Sequence, residues 1–163
     1  MRLCTHKGNS MADPTHLPTD PDDLAAATAS AMWARDRTAQ ALGMMVVSIR
    51  AGHATLSMPV REDMVNGHHI CHGGMIFTLA DTAFAYACNS YNQNTVASAC
   101  QIDFIAPAHE GETLEAEATE RSATGRTGVY DVTVRASEGK IIALFRGKSH
   151  RIGGEVITAS TST

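Results

Sequence analysis

Residues 66–89 contain the side chains best suited to chemistry. A polar loop ends at Gly73-Gly74, and between Gly73 and Ile102 the only charged residue is Asp81. Glycines at the start of a helix let a substrate approach free backbone N–H groups at the positive end of the helix dipole. A carboxylate in an apolar segment is costly to bury and is usually paired, exposed or functional. This combination predicts acyl or phosphoryl chemistry.

The spacing of these two residues constrains how they act together. Gly73 and Asp81 are eight residues apart, which is about 12 Å along one helix and too far for both to act on the same atom. If both are functional, they meet across an interface, most simply in a two-fold dimer whose helices each supply both halves. Two alternatives stay open: a helix-entry turn at Gly73-Gly74 that binds no ligand, and a structural Asp81 bonded to a backbone group or a tyrosine.

A histidine- and cysteine-rich stretch suggests a metal site at first sight. It places His68, His69, Cys71 and His72 within five residues, and nothing elsewhere has zinc-type spacing. A metal is therefore disfavoured. Cys71-His72 is also a poor nucleophile–base pair, because adjacent residues rarely point at each other.

Composition restricts the class of protein. The 163 residues predict one domain with a proper core. A net charge of −4 gives no reason to expect nucleic-acid binding, and no apolar run reaches the ~18–20 residues that span a bilayer. Four cysteines without CxxC spacing predict free thiols, with Cys88 and Cys100 packed in the core. With no apolar signal segment at the start, we expect a cytoplasmic protein.

The first third of the chain predicts an extension, a helix and a hairpin. Residues 1–22 have little that could form a core and are expected to be disordered, with Met11 an alternative start. An Ala-rich helix is predicted from the acidic pair at 22–23 to residue 41. Strands are predicted at 44–50 and 53–59, joined at Ala51-Gly52.

The remaining chain predicts one buried helix and four strands. Residues 75–89 have apolar side chains at helical spacing on most faces, which predicts a buried helix. Alternation then predicts strands at 96–104, 114–119, 128–134 and 141–151, with short connections that favour an antiparallel meander. We expect an α+β domain at 23–154, a single antiparallel sheet around one central helix, followed by a loose tail at 155–163.

The last predicted strand concentrates positive charge in an acidic protein. Alternation places Arg146, Lys148 and His150 on one face, with Arg151 beside them. The residues favour either an edge strand protected by charge or a contact for phosphates.

The chain resembles the hotdog-fold acyl-CoA thioesterases of the PaaI type over residues 30–154. The matching motifs are Asn66-Gly67-His68, Cys71-His72-Gly73-Gly74, 79–90 (LADTAFAYACNS), 96–104 (VASACQIDF), 127–131 (TGVYD) and 143–154 (ALFRGKSHRIGG). The resemblance implies a hotdog fold, with an antiparallel sheet wrapped around a long helix, in dimers that pair into tetramers. It also implies hydrolysis of acyl-CoA thioesters without a metal or cofactor.

The resemblance assigns roles to individual positions. Asp81 matches the catalytic carboxylate, which acts as general base on water or as nucleophile on the thioester carbonyl. Gly73 matches the residue whose backbone N–H polarises that carbonyl, Asn66 matches an asparagine that orients substrate or water, and His72 supports the loop. Further substrate-binding positions are expected at Gly74, Thr82, Ser98, Arg146, Lys148 and Arg151, with Arg121 and Arg126 as alternates for the CoA phosphates.

One position departs from the pattern. Some related thioesterases have a serine facing the aspartate where this chain has Ala97, and Ser98 is expected to point to the opposite face. Thr82 or a backbone group would then replace that serine in positioning water.

Phenylacetyl-CoA and hydroxyphenylacetyl-CoA are the substrates that the resemblance suggests. Two other functions stay open: a hotdog hydratase or dehydratase using His68, His69 or His72 as a second acid–base group, and an acyl-CoA binding module without turnover.

Overall fold

The structure is a computed structural model that describes residues 16–136 and 139–159. Its elements, in chain order, are α1 (Pro21–Trp33), α2 (Arg37–Ala41), β1 (Met45–Arg50), β2 (His53–Pro59), a short 3-10 helix (Glu62–Met64), α3 (Gly73–Asn89), β3 (Thr95–Phe104), β4 (Thr113–Thr124), β5 (Thr127–Arg135) and β6 (Ile141–Arg151). No helix in the described ranges is long and apolar enough to cross a membrane.

The six strands form one antiparallel sheet in the order β1-β2-β4-β5-β6-β3. The expected four-strand meander is wrong for β3, which pairs with β6 instead of β4. The connection 105–112 carries the chain back to β2, where Val60 N–H donates to Glu112 O (2.8 Å) and Gly111 N–H to Val60 O (2.9 Å). This crossing leaves β3 as an edge strand of the described sheet.

The sheet wraps around α3, as the sequence predicts. The helix packs against β2, β3, β4, β5 and β6, and its buried residues include Leu79, Ala83 and Phe84. Close approach to β6 requires Gly147, because a Cβ there would lie 2.9 Å from the Phe84 ring. Burying a ring of this size contributes on the order of 1.5–3 kcal/mol. The α+β hotdog architecture is confirmed.

The predicted N-terminal helix is two helices. Asp20 caps α1 by accepting from Asp22 N–H (2.9 Å) and Asp23 N–H (3.1 Å), with Pro21 in the first turn. The chain breaks after Trp33, and Asp36 begins α2 by accepting from Ala39 N–H (3.0 Å). A second capping carboxylate thus divides the Ala-rich segment, because its side chain competes for helix N–H groups.

The described part of the tail is attached to the domain. Asn92 Nδ2 donates to Ile157 O (2.9 Å), and Ile157 N–H donates to Asn92 Oδ1 (2.8 Å). Residues 1–15 and 160–163, which include the alternative start at Met11, lie outside the described residues. The boundaries 1–22, 23–154 and 155–163 therefore stay a prediction.

The contact between Gly147 and the Phe84 ring generates a stability prediction. Gly147→Ala is expected to lower the free energy of unfolding by about 1–3 kcal/mol, because the added methyl overpacks the sheet–helix contact. Urea unfolding followed by circular dichroism measures the loss. Gly67→Ala is the control, because a Cβ at that position meets nothing within 4 Å. Equal stability of the two variants would contradict the close packing.

Candidate active site

The N-terminus of α3 carries one unused backbone donor. His72 is the N-cap, and its Nδ1 accepts from Gly74 N–H (2.9 Å). Its carbonyl accepts from Met75 N–H (2.9 Å). Gly73 N–H has no acceptor among residues 16–136 and 139–159. Because Gly74 is committed to the cap, Gly73 is the group that can bind an external oxygen at the positive helix end.

An open cleft of about 510 Å³ lies beside this donor. Its walls are mostly apolar, and it is lined by Asn66, Ile70, Cys71, Gly73, Ile76, Phe104, Ile105, Ala106 and Pro107. A Cβ at Gly73 would lie 3.0 Å from the Phe104 ring. Glycine therefore keeps the mouth of the cleft open against β3.

Asn66 belongs to the same cleft through a tight turn. Its Oδ1 accepts from His68 N–H (2.9 Å) and, at the limit of hydrogen bonding, from Ile70 N–H (3.5 Å). The turn places His69 at a φ of 59°, a left-handed conformation that non-glycine residues rarely adopt. The Asn66 amide nitrogen has no partner in the described part of the chain, which leaves two N–H donors for a ligand.

Asp81 lies two turns further along α3. Gly73, Phe77, Asp81 and Ala85 follow one another at i, i+4 spacing and are all half-buried. The Asp81 carboxylate accepts a hydrogen bond from the thiol of Cys100, with Sγ 3.8 Å from Oδ1. The carboxylate pairs with no cation or tyrosine within the described ranges, so the structural alternative gains no support.

The pKa of Asp81 follows from these surroundings. Burial raises the pKa above its ordinary value, and the hydrogen bond from Cys100 offsets part of the rise. A carboxylate that is partly desolvated and has no cationic partner is a stronger base than a solvated one. These are the properties of a general base.

Asp81 and Gly73 of one chain do not share a cleft. Asp81 contacts Cys100 on β3, whereas Gly73 lies against Phe104, four residues further along that strand. Four residues of strand span about 13 Å, which agrees with the about 12 Å expected along the helix. One chain by itself therefore does not bring Gly73 N–H and Asp81 to the same atom.

The remaining predicted hydroxyl positions are engaged elsewhere. Thr82 Oγ1 donates to Thr78 O (2.7 Å), so its hydroxyl can only accept from a ligand. Ser98 lies at a bulge in β3 and donates to Lys148 O (3.0 Å). With Lys148 it lines a separate cleft of about 270 Å³. At the position where some related thioesterases have a serine, Ala97 therefore supplies no hydroxyl on the side of β3 that faces the helix.

The basic residues divide into paired and unpaired groups. Arg146 donates to both carboxylate oxygens of Asp131 (2.6 and 2.9 Å), which also accepts from Arg121 (3.0 Å). The Arg146 guanidinium holds the pKa of Asp131 below its ordinary value, with Arg121 contributing. β6 lies between β5 and β3, so the charged edge strand considered above is wrong.

A cleft lined by Arg126 and Arg151 has no carboxylate among the described residues of its walls. Arg126 donates twice to the backbone oxygen of Arg151 (3.1 and 3.0 Å). The cleft measures about 470 Å³ and is lined by Gln93, Asn94, Arg126, Arg151, Gly153 and Gly154. The side chains of Lys148 and Arg151 form no ion pair with any described residue.

The histidine- and cysteine-rich stretch does not gather ligands. His68 and His69 are exposed, whereas Cys71 is buried with its Sγ 3.8 Å from His72 O. Within the described ranges no three His, Cys, Asp or Glu side chains are arranged to hold a metal ion.

Cys100 is the site residue that the sequence argument missed. It was expected to pack in the core, yet it is half-buried and contacts Asp81. Alternation along β3 could have indicated this, because it places Cys100 on the same face as Ile102 and Phe104, toward the helix.

Known proteins with similar sequences and structures point to one chemistry. The family model described as Thioesterase superfamily matches residues 68–143. Acyl-coenzyme A thioesterase PaaI of Escherichia coli (strain K12) is 52% identical over 128 residues, covering 78% of this chain and 91% of that protein.

Solved structures agree with the sequence match. The E. coli PaaI protein from the phenylacetic acid degradation operon superposes with a TM-score of 0.82 at 50% identity, covering 83% of this chain and 99% of that one. A Streptococcus mutans protein bound to acetyl-CoA has a TM-score of 0.67 at 25% identity, covering 69% and 90% of the two chains.

The cap at His72 generates a second stability prediction. His72→Ala removes the acceptor for Gly74 N–H and is expected to cost about 0.5–2 kcal/mol of unfolding free energy. His72→Asn keeps a capping acceptor and should lose less. Chemical denaturation of the three proteins measures both effects. If Asn is as destabilising as Ala, capping is not what His72 contributes.

Proposed function

The chain belongs to the thioesterase superfamily and is an acyl-CoA thioesterase, and we propose that it hydrolyses arylacetyl-CoA esters such as phenylacetyl-CoA or hydroxyphenylacetyl-CoA. One observation carries the proposal: an unpaired Gly73 N–H at a helix end beside an apolar cleft. Aromatic and aliphatic walls suit an aryl group, and the E. coli relative comes from a phenylacetic acid degradation operon. Because that substrate is a CoA ester and the three cysteines in the described part of the chain are free thiols, the proposal includes a cytoplasmic location.

The proposed reaction uses groups that this chain supplies. Gly73 N–H binds the thioester oxygen and stabilises the negative charge that forms on it in the transition state. Asp81 accepts a proton from water as the water oxygen bonds to the carbonyl carbon. The carbon–sulfur bond then breaks, and the CoA sulfur leaves and takes up a proton. A direct attack by Asp81, through an anhydride that water opens, uses the same residues. Asn66 helps to orient the substrate or water through its free amide nitrogen.

The distance between Gly73 and Asp81, which we propose as two half-sites, supports a dimer with shared active sites. β3 has no partner on one side in the described sheet. It also exposes apolar side chains: Val96 and Phe104 on the strand are 44% and 54% exposed, and Ile105, just after it, is 56% exposed. A long apolar edge strand is a template for pairing with another chain. We propose that two copies pair β3 antiparallel about a two-fold axis near Ile102.

This register brings the half-sites together. With the axis near Ile102, the level of Cys100 in one protomer meets the level of Phe104 in the other. Asp81 of one copy then approaches Gly73 of its partner, and the half-buried row on α3 is covered. We also propose that these dimers pair into tetramers, and light scattering measures the mass of the assembly in solution.

The CoA phosphates are proposed to bind at Arg151 and Arg126. Arg146 and Arg121 share the one carboxylate of Asp131, whereas Lys148 and Arg151 form no ion pair among the described residues and are the unpaired candidates. Arg151 follows Gly147 and Ser149 in the row of β6 that faces α3, about 13 Å from the level of Cys100. Lys148 is on the opposite face of the sheet. The Arg151 cleft therefore lies on the same side as Asp81, within reach of a pantetheine arm.

Subunit complementation tests the reaction and the shared site together. Asp81→Ala removes the base. Gly73→Pro removes the N–H donor at a helix position where proline is well tolerated, and it also adds a Cβ that meets Phe104. Each variant alone is expected to lose about 100-fold or more in kcat, because one oxyanion donor is worth about 3 kcal/mol. A heterodimer of the two variants contains one intact site and one site that lacks both groups. About half of a random equal mixture is heterodimer, so the mixture should recover about a quarter of the wild-type rate.

Release of CoA thiol from phenylacetyl-CoA, followed with a thiol-reactive dye, measures these rates. Gly73→Ala is the matched control: its Cβ meets Phe104 as the proline's does, but it keeps the N–H. Turnover that survives in Asp81→Ala would overturn the assignment of the base. Inactive single variants whose mixture stays inactive would overturn the shared site. Wild-type protein that binds the ester without turnover would favour the binding-module alternative.

Substitution at Arg151 tests the phosphate site. Arg151→Ala is expected to raise KM for phenylacetyl-CoA about tenfold or more, because a charge-assisted hydrogen bond to phosphate is worth about 1.5–3 kcal/mol. It should leave the hydrolysis of phenylacetyl-pantetheine, which lacks the nucleotide, unchanged. Lys148→Ala removes one charge from the opposite face and is the control. A larger KM effect for Lys148→Ala would move the phosphates to that face.

A further inference from the structure

Cys100 makes the one side-chain hydrogen bond that Asp81 receives from residues 16–136 and 139–159. It lies on the helix-facing side of β3, and its Sγ is 3.8 Å from Asp81 Oδ1, within the range of a sulfur hydrogen bond. Its partner on β6 is Gly147, which has no side chain. Ala97, on the same side of β3, has no polar side-chain atom. Nothing else on this part of the strand can hold the carboxylate.

The electrostatic surroundings of Asp81 are simple in the described part of the chain. Cys100 on β3 and Cys88 on α3 are the titratable groups that interact with it. Cys88 is directed elsewhere, since its Sγ lies 3.4 Å from Ala85 O and 3.6 Å from Asn89 Nδ2. β6 contributes no charged group at this level. Cys100 is therefore the donor that can act on Asp81 directly.

We propose that Cys100 is a positioning residue for the proposed reaction: its thiol donates a hydrogen bond to Asp81 and holds the carboxylate in the orientation that receives the proton of water. The inference rests on the proposed function, because it assumes that Asp81 is the base. A thiol is a weak donor, but a half-buried carboxylate with no other partner gains from even one weak hydrogen bond.

The protonation state of Cys100 suits a donor and not a nucleophile. Burial and the neighbouring Asp81 carboxylate raise the pKa of the thiol to about 11. The sulfur therefore carries its proton at neutral pH, and that proton is shared with Asp81. A thiolate beside the carboxylate would be repelled by it.

The direction in which loss of the Cys100 thiol shifts the pKa of Asp81 can be predicted. The hydrogen bond lowers the pKa of Asp81 against the larger effect of burial, so Cys100→Ala raises that pKa further. A general base is active when deprotonated, so the acidic limb of the kcat profile moves to higher pH. Cys100→Ser keeps an O–H donor and should return the limb toward its wild-type position.

The kinetic experiment compares wild type, Cys100→Ala, Cys100→Ser and Cys88→Ala with phenylacetyl-CoA across the acidic limb. Cys100→Ala is expected to lower kcat about two- to tenfold, because a hydrogen bond from a weak donor such as a thiol is worth about 0.5–1.5 kcal/mol, with KM nearly constant. Cys88→Ala deletes the same atoms from a buried thiol that is not bonded to Asp81, and should lower stability without moving the limb. A Cys100→Ala profile identical to wild type would overturn the proposal.

A second readout does not depend on turnover. Because the interaction is mutual, Asp81→Asn removes the charge that raises the Cys100 pKa. Alkylation of Cys100 by iodoacetamide, followed by peptide mass spectrometry above neutral pH, should therefore be several-fold faster in Asp81→Asn than in wild type. Equal alkylation rates would show that the two groups are not coupled.

The outcomes separate this inference from the proposed function. If Asp81→Asn retains the wild-type rate, the base of the proposed function is wrong. If Asp81→Asn is inactive while Cys100→Ala keeps the wild-type rate and profile, the proposed function stands and only the role of Cys100 is overturned.

Discussion

The structure depends on one buried helix that carries both proposed reacting groups at a fixed separation. α3 runs from Gly73 to Asn89, and its rise keeps the donor at Gly73 about 12 Å from Asp81. The sheet covers most of this helix but leaves one row half-buried beside the edge strand β3. An uncovered row beside an unpaired edge explains why the site is proposed to be completed by a second copy.

Gly73 and Asp81, both in this row, have different surroundings. His72 occupies Gly74 N–H, so the free donor at the helix end is Gly73. Among the described residues Asp81 pairs with no cation, and burial raises its pKa and its basicity. The same helix therefore presents an electrophilic end and a basic centre, because the dipole acts only on the first turn and desolvation acts where the helix is buried.

The charged residues of the sheet are sorted by cross-strand pairing. Arg146 and Arg121 both bind Asp131, whereas Arg151 lies in a cleft without a carboxylate. Strand alternation correctly placed Arg146 and Lys148 on one face. Alternation could not predict which of the two side chains forms an ion pair, because Asp131 is placed opposite Arg146 by the register of β5 and β6.

The sequence alone determined the α+β class, the buried central helix, most strand positions and the separation of Gly73 from Asp81, because helix rise and side-chain periodicity are local properties. Its motifs also indicated the thioesterase family. Only the tertiary structure decided that β3 pairs with β6, that the N-terminal helix breaks at Asp36, and that Cys100 contacts Asp81. Strand order and the Cys100 contact join residues far apart in the chain, and the break depends on a capping bond that competes with helix propensity.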